Sequence, residues 1–482
     1  HPSMIGGKEY RSGQFLEDRN PADTRQVLAK FHMTPVTELN RVMEISKKAQ
    51  KGWGLTSWKE RVRILRKAAD LISRDKLEIS VAMALETGKN RLEALGDVEE
   101  SADLFRYYCD QLESADGFDR PLAALSPNEK TRSILKPFGV FAVISPFNFP
   151  LALSAGMSGG ALLGGNSVVL KPSQETPWCG QYLYKVLAEA GLPEGVFQLV
   201  HGKGSELGKA MLEHPFTDGI VFTGSKEVGM QLLRNFSKNY PKPCFLELGG
   251  KNPCYVAESA NLEKAVEGVA RSSFGLSGQK CSALSRVYVH EAVAKEFAER
   301  LVERTKKIVV GNPLNKEVYM GPVINENAFK RFQRSCELAH KDGKVIVGGN
   351  DIKSTGGVYA NGWFVSPTVV QIADGHALSR DELFMPFLTM HTFKKLSEAI
   401  AQGNSSEYGL TAGIFTENQA ELQEYLDTAE SGVLYANRMS GATTGAWPGV
   451  NSFCGWKGSG STGKGGCGPY YVMQFMREQS QT

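Results

Sequence analysis

Phe138–Ser173, FGVFAVISPFNFPLALSAGMSGGALLGGNSVVLKPS, places two apolar runs, VFAVIS and SVVLKPS, on either side of a helical stretch through Ala161. Short apolar runs bounded by Gly and Pro read as buried strands. The pattern continues downstream with a helix over 177–190, the run VFQLVHG, a short helix and the run IVFTGS. Such strand–helix alternation predicts a parallel sheet with helices on both faces, the doubly wound α/β architecture. A second alternating unit begins after Glu247: NPCYVA, a helix over 261–274, SRVYVH and a helix over 292–308. It runs on through KVIVGG, SPTVVQ, LTAGIF and GVLYAN and reads as an α/β domain of its own.

Residues 37–116 read as helices, with Thr37 as the cap of a run ending near Lys51 and apolar positions at helical spacing from Trp58 to Thr87. Residues 118–135 carry Pro121 and Pro127 among mixed residues and read as an arm or hairpin. The final YYVMQFMREQSQT alternates apolar and polar like an edge strand, suited to pairing with that arm or a neighbouring subunit's. At 482 residues the chain exceeds one ordinary core, so two or three domains are expected. A formal net charge of +3 gives no reason to expect nucleic acid or a membrane as partner. No stretch approaches the roughly 20 apolar residues of a membrane span. The opening HPSM has neither a charged n-region nor a long apolar run, so no secretion signal is expected. Eight cysteines lie scattered without C-x-x-C pairs, which predicts free thiols in a reducing cytoplasm and no metal site.

The chemistry concentrates in FLELGG, Phe245–Gly250, and FGLSGQKC, Phe274–Cys281. A cysteine in a glycine-flanked turn can act as a nucleophile, its thiolate favoured by backbone amides or Lys280. The Gly-Gly pair after Glu247 would let the chain turn sharply and aim that carboxylate into a cleft. Thiol and carboxylate base together predict covalent catalysis through a thioester. FTGSKEVG, Phe222–Gly229, follows a strand and opens a helix, where Gly224 and a helix N-terminus suit a pyrophosphate, although it is not G-x-G-x-x-G. In LKPSQETP, Lys171 ends a strand where open sheets bind ligands; the alternative is a solvated surface lysine. In SPFNFP, Asn148 lies between two aromatics and two prolines, fit for a rigid amide donor or for an ordinary tight turn. Glu382 in DELFMPF offers a carboxylate for ribose hydroxyls.

SPFNFP, KPSQETP, FTGSKEVG, ELGGKNP, GQKCSALSR, DELFMPF and GWKGSG, in this order from Ser145 to Gly460, resemble the aldehyde dehydrogenase superfamily. The resemblance implies a Rossmann-like cofactor domain from residues 1–117 and 137–248, a catalytic domain over 249–450, and a small β oligomerisation arm from 118–136 and 465–482. It implies Cys281 as nucleophile, Glu247 as base and Asn148 as oxyanion donor. Cofactor contacts implied are Ile144, Ser145, Lys171, Ser173 and Gln174 from the first part of the chain. Gly204, Gly224, Ser225 and Gly249 follow, with Glu382 on the ribose and Phe384 beside the nicotinamide. The cofactor is NAD or NADP, the partner a small aldehyde, and the assembly a homodimer or homotetramer.

Several positions depart from the family pattern. Met157 stands where many members have a lysine on a proton exit route, and reads as a helix-core methionine. Gln174 replaces a glutamate that repels the extra phosphate of NADP, which leaves NADP open. Met385 replaces the usual glycine, and Cys454 in Phe453-Cys454-Gly455 replaces another. Ser282 directly after the nucleophile, with Met157 and Thr444-Gly445-Ala446, resembles the branch that oxidises glutamate γ-semialdehyde, in equilibrium with 1-pyrroline-5-carboxylate. In that branch Ser282 and the amides of Gly445 and Ala446 would hold the substrate carboxylate, with Phe149 and Phe453 around its stem. Trp447, Pro448 and Asn451 differ from that branch, so a broad dehydrogenase of small aliphatic or hydroxy-aldehydes stays as an alternative. Glu247 argues against coenzyme A as acyl acceptor, and the Cys281, Glu247 and Asn148 set argues against a silent scaffold.

Overall fold

The computed structural model describes residues 1–461 and 463–482. The first sheet has a parallel centre of five strands in the order Cys244–Glu247, Gly219–Thr223, Val140–Ile144, Ser167–Lys171 and Phe197–Leu199. The N-terminal Ser3–Ile5 and Lys8–Tyr10 extend it antiparallel. The central strands are buried on both faces, which explains their unbroken apolar reading. Helices Ala152–Leu163 and Pro177–Ala190 cross between them, the latter opened by its own proline and closed by Gly191 in the left-handed conformation.

A second seven-stranded sheet runs Lys344–Val347, Thr368–Gln371, Phe387–Phe393, Leu284–His290, Asn252–Val256, Thr411–Phe415 and Val433–Ala436. All its pairings are parallel except that of the first two strands. Leu262–Phe274 and Ala294–Lys306 pack on it around Phe274, Val287 and Phe297. A three-stranded antiparallel sheet joins Asp119–Leu122, Thr131–Pro137 and Met476–Gln481, with Leu125 fully exposed between the first two.

The helices before the first sheet differ in detail from the sequence expectation. Thr37 does not cap a helix: it lies in a 3-10 turn, Val36–Glu38, that runs directly into Leu39–Leu55. The next stretch is two helices, Trp58–Arg74, capped by Ser57, and Lys76–Thr87, divided at Asp75. At the C-terminus only Met476–Gln481 is a strand. Val472–Phe475 is a 3-10 turn, and Tyr471, Val472 and Phe475 are buried in the first core, because their alternation serves packing against the Ala152–Leu163 helix. Cys467, Tyr471, Val472 and Phe475 thus pack in the first core, while Met476–Gln481 joins the three-stranded sheet. The hairpin of Phe15–Arg19 with Val27–His32 has no counterpart in the sequence reading.

Candidate active site

Parallel strands bring their carboxyl ends to one edge, and the register aligns the ends residue by residue. Ile144 pairs with Lys171 and with Phe222, and Thr223 pairs with Glu247. This edge, the 276–281 turn and the 444–447 loop enclose a cavity of about 260 Å³. Glu247, Cys281, Ser282, Phe149, Gly445, Ala446 and Phe453 all line it. Asn148 is buried in the turn after Val140–Ile144, directly ahead of Phe149.

Gly249 and Gly250 are needed for space, since neither adopts a positive φ. A Cβ on Gly250 would stand 2.5 Å from the Cys281 carbonyl oxygen, and one on Gly249 would stand 2.1 Å from Glu382 Oε2. The expected sharp turn is thus a close approach: bare backbone lets the Glu247 strand lie against the turn that carries Cys281. Asn252 locks the contact, its Nδ2 donating to the carbonyls of Cys281 at 2.7 Å and Ala283 at 2.9 Å.

The turn before Cys281 is strained. Leu276 and Ser277 hold φ of 48° and 53°, a conformation costing L-residues about 1–2 kcal/mol each. Glu93, from the helix Arg91–Ser114, secures it twice: Oε2 accepts the Leu276 N–H at 3.0 Å and Oε1 accepts Lys280 Nζ at 2.8 Å. Lys280 is therefore committed to Glu93 and does not lower the thiol's proton affinity. Burial, followed by the Glu247 and Glu382 carboxylates, pushes Cys281 up to about 12, against opposing backbone N–H groups of Ser282 and Cys281. A thiol in this state needs a base.

Glu247 lines the same cavity. Burial raises its carboxyl to about 8, the Gly455 N–H pulling the other way. Its Oε2 is shielded from solvent and has no hydrogen-bond partner among the described residues. A carboxyl balanced near neutrality can take and release a proton.

The cavity also has a charged wall that sequence reasoning missed. Glu93, Asp97, Glu100, Leu104 and Tyr108 recur at helical spacing along Arg91–Ser114 and face the same space. Asp97 pairs with the fully buried Lys89 at 2.5 Å, and Lys89 Nζ lies 3.9 Å from the Phe149 ring centroid. Among the described residues Glu100 has no ion-pair or hydrogen-bond partner, and burial, then Asp97, raises it to about 8. The available signal was acidic residues where an inward helix face calls for apolar ones.

The expected cofactor residues surround the neighbouring strand ends. Lys171 is not a solvated lysine: it is 3% exposed, donates to the carbonyls of Pro172 at 3.0 Å and Gly202 at 3.2 Å, and is lowered by burial to about 8. Ser145 donates its N–H to the Lys171 carbonyl, and its hydroxyl accepts from Ser154 at 2.8 Å. Ser173 accepts the Glu175 N–H, while Gln174 is exposed. Gly204 opens a short π-helical turn with free space above its Cα. Gly224 donates to the Glu247 carbonyl, and Ser225 caps the helix Lys226–Phe236 by accepting the Val228 N–H. Glu382 Oε1 accepts the Gly250 N–H at 2.8 Å, and burial raises its carboxyl to about 7. Phe384, at φ 56°, meets Phe147 edge to face.

Of the departures, Met157 is buried and its sulfur accepts the Thr223 hydroxyl at 3.5 Å. Met385 is buried, its carbonyl lying where a Cβ on Gly278 would come within 2.2 Å. Cys454 is buried, and burial, then the Glu247 carboxylate, raises it to about 11. All eight cysteines are free. No helix among the described residues is long and apolar enough to cross a membrane.

Comparison with known proteins gives the same picture. The model of the "Aldehyde dehydrogenase family" matches residues 9–480. A 1-pyrroline-5-carboxylate dehydrogenase of Bacillus cytotoxicus is 36% identical over all of this chain and 92% of its own length. The solved 1-pyrroline-5-carboxylate dehydrogenase from Thermus with bound NAD superposes with a TM-score of 0.94 at 31% identity, over 100% of this chain and 92% of that one. Proline utilization A from Bdellovibrio bacteriovorus also gives 0.94 at 35% identity over all of this chain, which spans 49% of that longer protein. The chain belongs to the aldehyde dehydrogenase family.

Proposed function

We propose that the protein oxidises glutamate γ-semialdehyde, formed from 1-pyrroline-5-carboxylate, to glutamate with NAD⁺ or NADP⁺. The observation that carries this reading is the composition of one cavity. A thiol and a base, Cys281 and Glu247, share it with Ser282, the Gly445 and Ala446 backbone and Glu100. A hydroxyl and two N–H groups suit a carboxylate, and Glu100 suits an ammonium group, so the lining matches an aldehyde with an amino-acid tail. Phe149 and Phe453 supply apolar walls for the stem between. Similarity to the Bacillus enzyme supports the same substrate.

The chemistry follows from the residues. Glu247 takes the Cys281 proton, and the sulfur adds to the aldehyde carbon. Asn148 and the Cys281 N–H receive the oxyanion. The nicotinamide of a dinucleotide held at the strand ends would accept the hydride from the adduct carbon, leaving a thioester on Cys281. Glu247, having released its proton, then draws one from water, which attacks the thioester and frees Cys281. The strand-end residues fit a dinucleotide: the Lys226–Phe236 N-terminus for phosphate, Lys171 and Glu382 for ribose, and Gly249, whose missing Cβ leaves Glu382 its place. Ile144, Ser145, Ser173 and Gly204 complete the same rim. The exposed, neutral Gln174 supports acceptance of NADP⁺.

The eight free thiols support a reducing, cytoplasmic setting. The exposed Leu122 and Leu125 of the arm support a homodimer or homotetramer. Initial rates with 1-pyrroline-5-carboxylate, glyceraldehyde and pentanal test the substrate. A kcat/KM at least about tenfold higher for the pyrroline is expected; equal or inverted rates exclude the semialdehyde reading.

A further inference from the structure

Arg438 follows the strand Val433–Ala436 and the left-handed Asn437, φ 53°. The Asn437 amide closes a two-way bridge to Thr416, accepting its N–H at 2.9 Å and donating to its carbonyl at 2.8 Å. The residue after it is thereby launched in a fixed direction. The Arg438 guanidinium lies 4.8 Å from the Tyr435 ring centroid and grips two successive carbonyls: Nη1 donates to Thr444 O at 3.1 Å and Nη2 to Gly445 O at 2.7 Å.

A trans peptide sets its N–H opposite its C=O. Holding the Thr444 and Gly445 carbonyls on the Arg438 side therefore turns the Gly445 and Ala446 N–H groups away from it. Both residues line the cavity, and among the described residues neither N–H has a protein acceptor. Gly445 takes φ 95°, and a Cβ there would stand 2.8 Å from Arg438 Nη2, so that face of the loop is filled by the guanidinium. Two adjacent N–H groups, one from a left-handed residue, form an anion nest. The nest is fixed to the nucleophile turn as well: Thr443 Oγ1 donates to the Ser282 carbonyl at 2.7 Å.

We propose that Arg438 is a positioning residue for carboxylate-bearing aldehydes. Its fork orients the two amides that receive the carboxylate, and its charge backs them from outside the cavity. The inference rests on the semialdehyde reading and adds to it the group that builds the anion subsite. Arg438→Met removes the fork at similar volume, and Arg438→Lys keeps the charge but replaces the rigid planar fork with a flexible point charge.

Wild type and both variants are compared with 1-pyrroline-5-carboxylate and with pentanal, an uncharged aldehyde of the same chain length. For Arg438→Met, kcat/KM toward the pyrroline is expected to fall at least about tenfold, carried by KM, with pentanal within about twofold. Arg438→Lys should fall in between, and decides alone if Arg438→Met does not fold. Equal losses for both aldehydes, or none, would overturn the role of Arg438 while leaving a wild-type preference for the pyrroline intact. A wild type without that preference overturns the substrate reading and this inference with it.

Discussion

Replacing Glu247 by Gln keeps the shape of the buried side chain and removes its proton chemistry. Burial sets the carboxyl at about 8 instead of its ordinary 4.5. Only the ionised form can draw a proton from water. Roughly one molecule in ten carries that form at pH 7 and about nine in ten at pH 9. With thioester hydrolysis rate-limiting, wild-type kcat should therefore rise about tenfold between those pH values. Glu247→Gln should give at most one equivalent of reduced cofactor and then stall, with turnover roughly 10²–10⁴-fold lower and without the pH limb. Stopped-flow absorbance of the reduced cofactor, with the acylated enzyme read by mass spectrometry, separates the burst from turnover. Linkage gives an independent check. Between 4.5 and about 8 the folded state holds a proton that the unfolded chain has released, so the group's contribution to stability falls as pH rises through that window. Glu247→Gln should accordingly raise Tm more at pH 8 than at pH 5. A flat wild-type kcat profile, or full multiple turnover by the variant, would refute the assignment.

Asn148→Ala should lower kcat by about 10²–10³, the usual loss of one oxyanion donor, while iodoacetamide still labels Cys281 at the wild-type rate. Glu100→Gln should raise KM for 1-pyrroline-5-carboxylate at least about fivefold and leave pentanal unchanged, because only the semialdehyde opened from the pyrroline presents an ammonium to the Glu100 side chain. Gln174→Glu should cut kcat/KM for NADP⁺ at least about tenfold with NAD⁺ little altered, as measured by initial rates with each cofactor.

The two sheets were legible because their strands are buried on both faces, which makes short unbroken apolar runs, and because glycines and prolines mark the intervening helices. The positions of Glu247, Cys281 and Lys171 followed, since strand ends and tight turns are local features. What local sequence did not contain was the reason for each. Gly249 and Gly250 looked like turn residues, yet what requires them is Glu382 and Cys281, remote in sequence. Lys280 looked like an activator of its neighbour, yet its partner is Glu93. Thr37 had the chemistry of a cap, but the 3-10 turn around it left no helix start to cap.

Glu93 explains why these long-range terms matter to the chemistry. It belongs to the helix Arg91–Ser114, which packs into the core of the first sheet, whereas the turn it holds leads into Leu284–His290 of the second. Locally, the Leu276 carbonyl accepts the Gln279 N–H at 3.0 Å and the Gln279 side-chain amide at 3.3 Å. The left-handed Leu276 and Ser277 persist because Glu93 on one side and the Gly321 carbonyl, bound by Ser277 Oγ at 2.8 Å, on the other fix the turn from outside. Cys281 is thus positioned only when the two sheets are docked, and the same docking closes the cavity whose wall carries Glu100. Substrate recognition and nucleophile geometry share one set of contacts, so damage to the helix face at Glu93 should disturb both together.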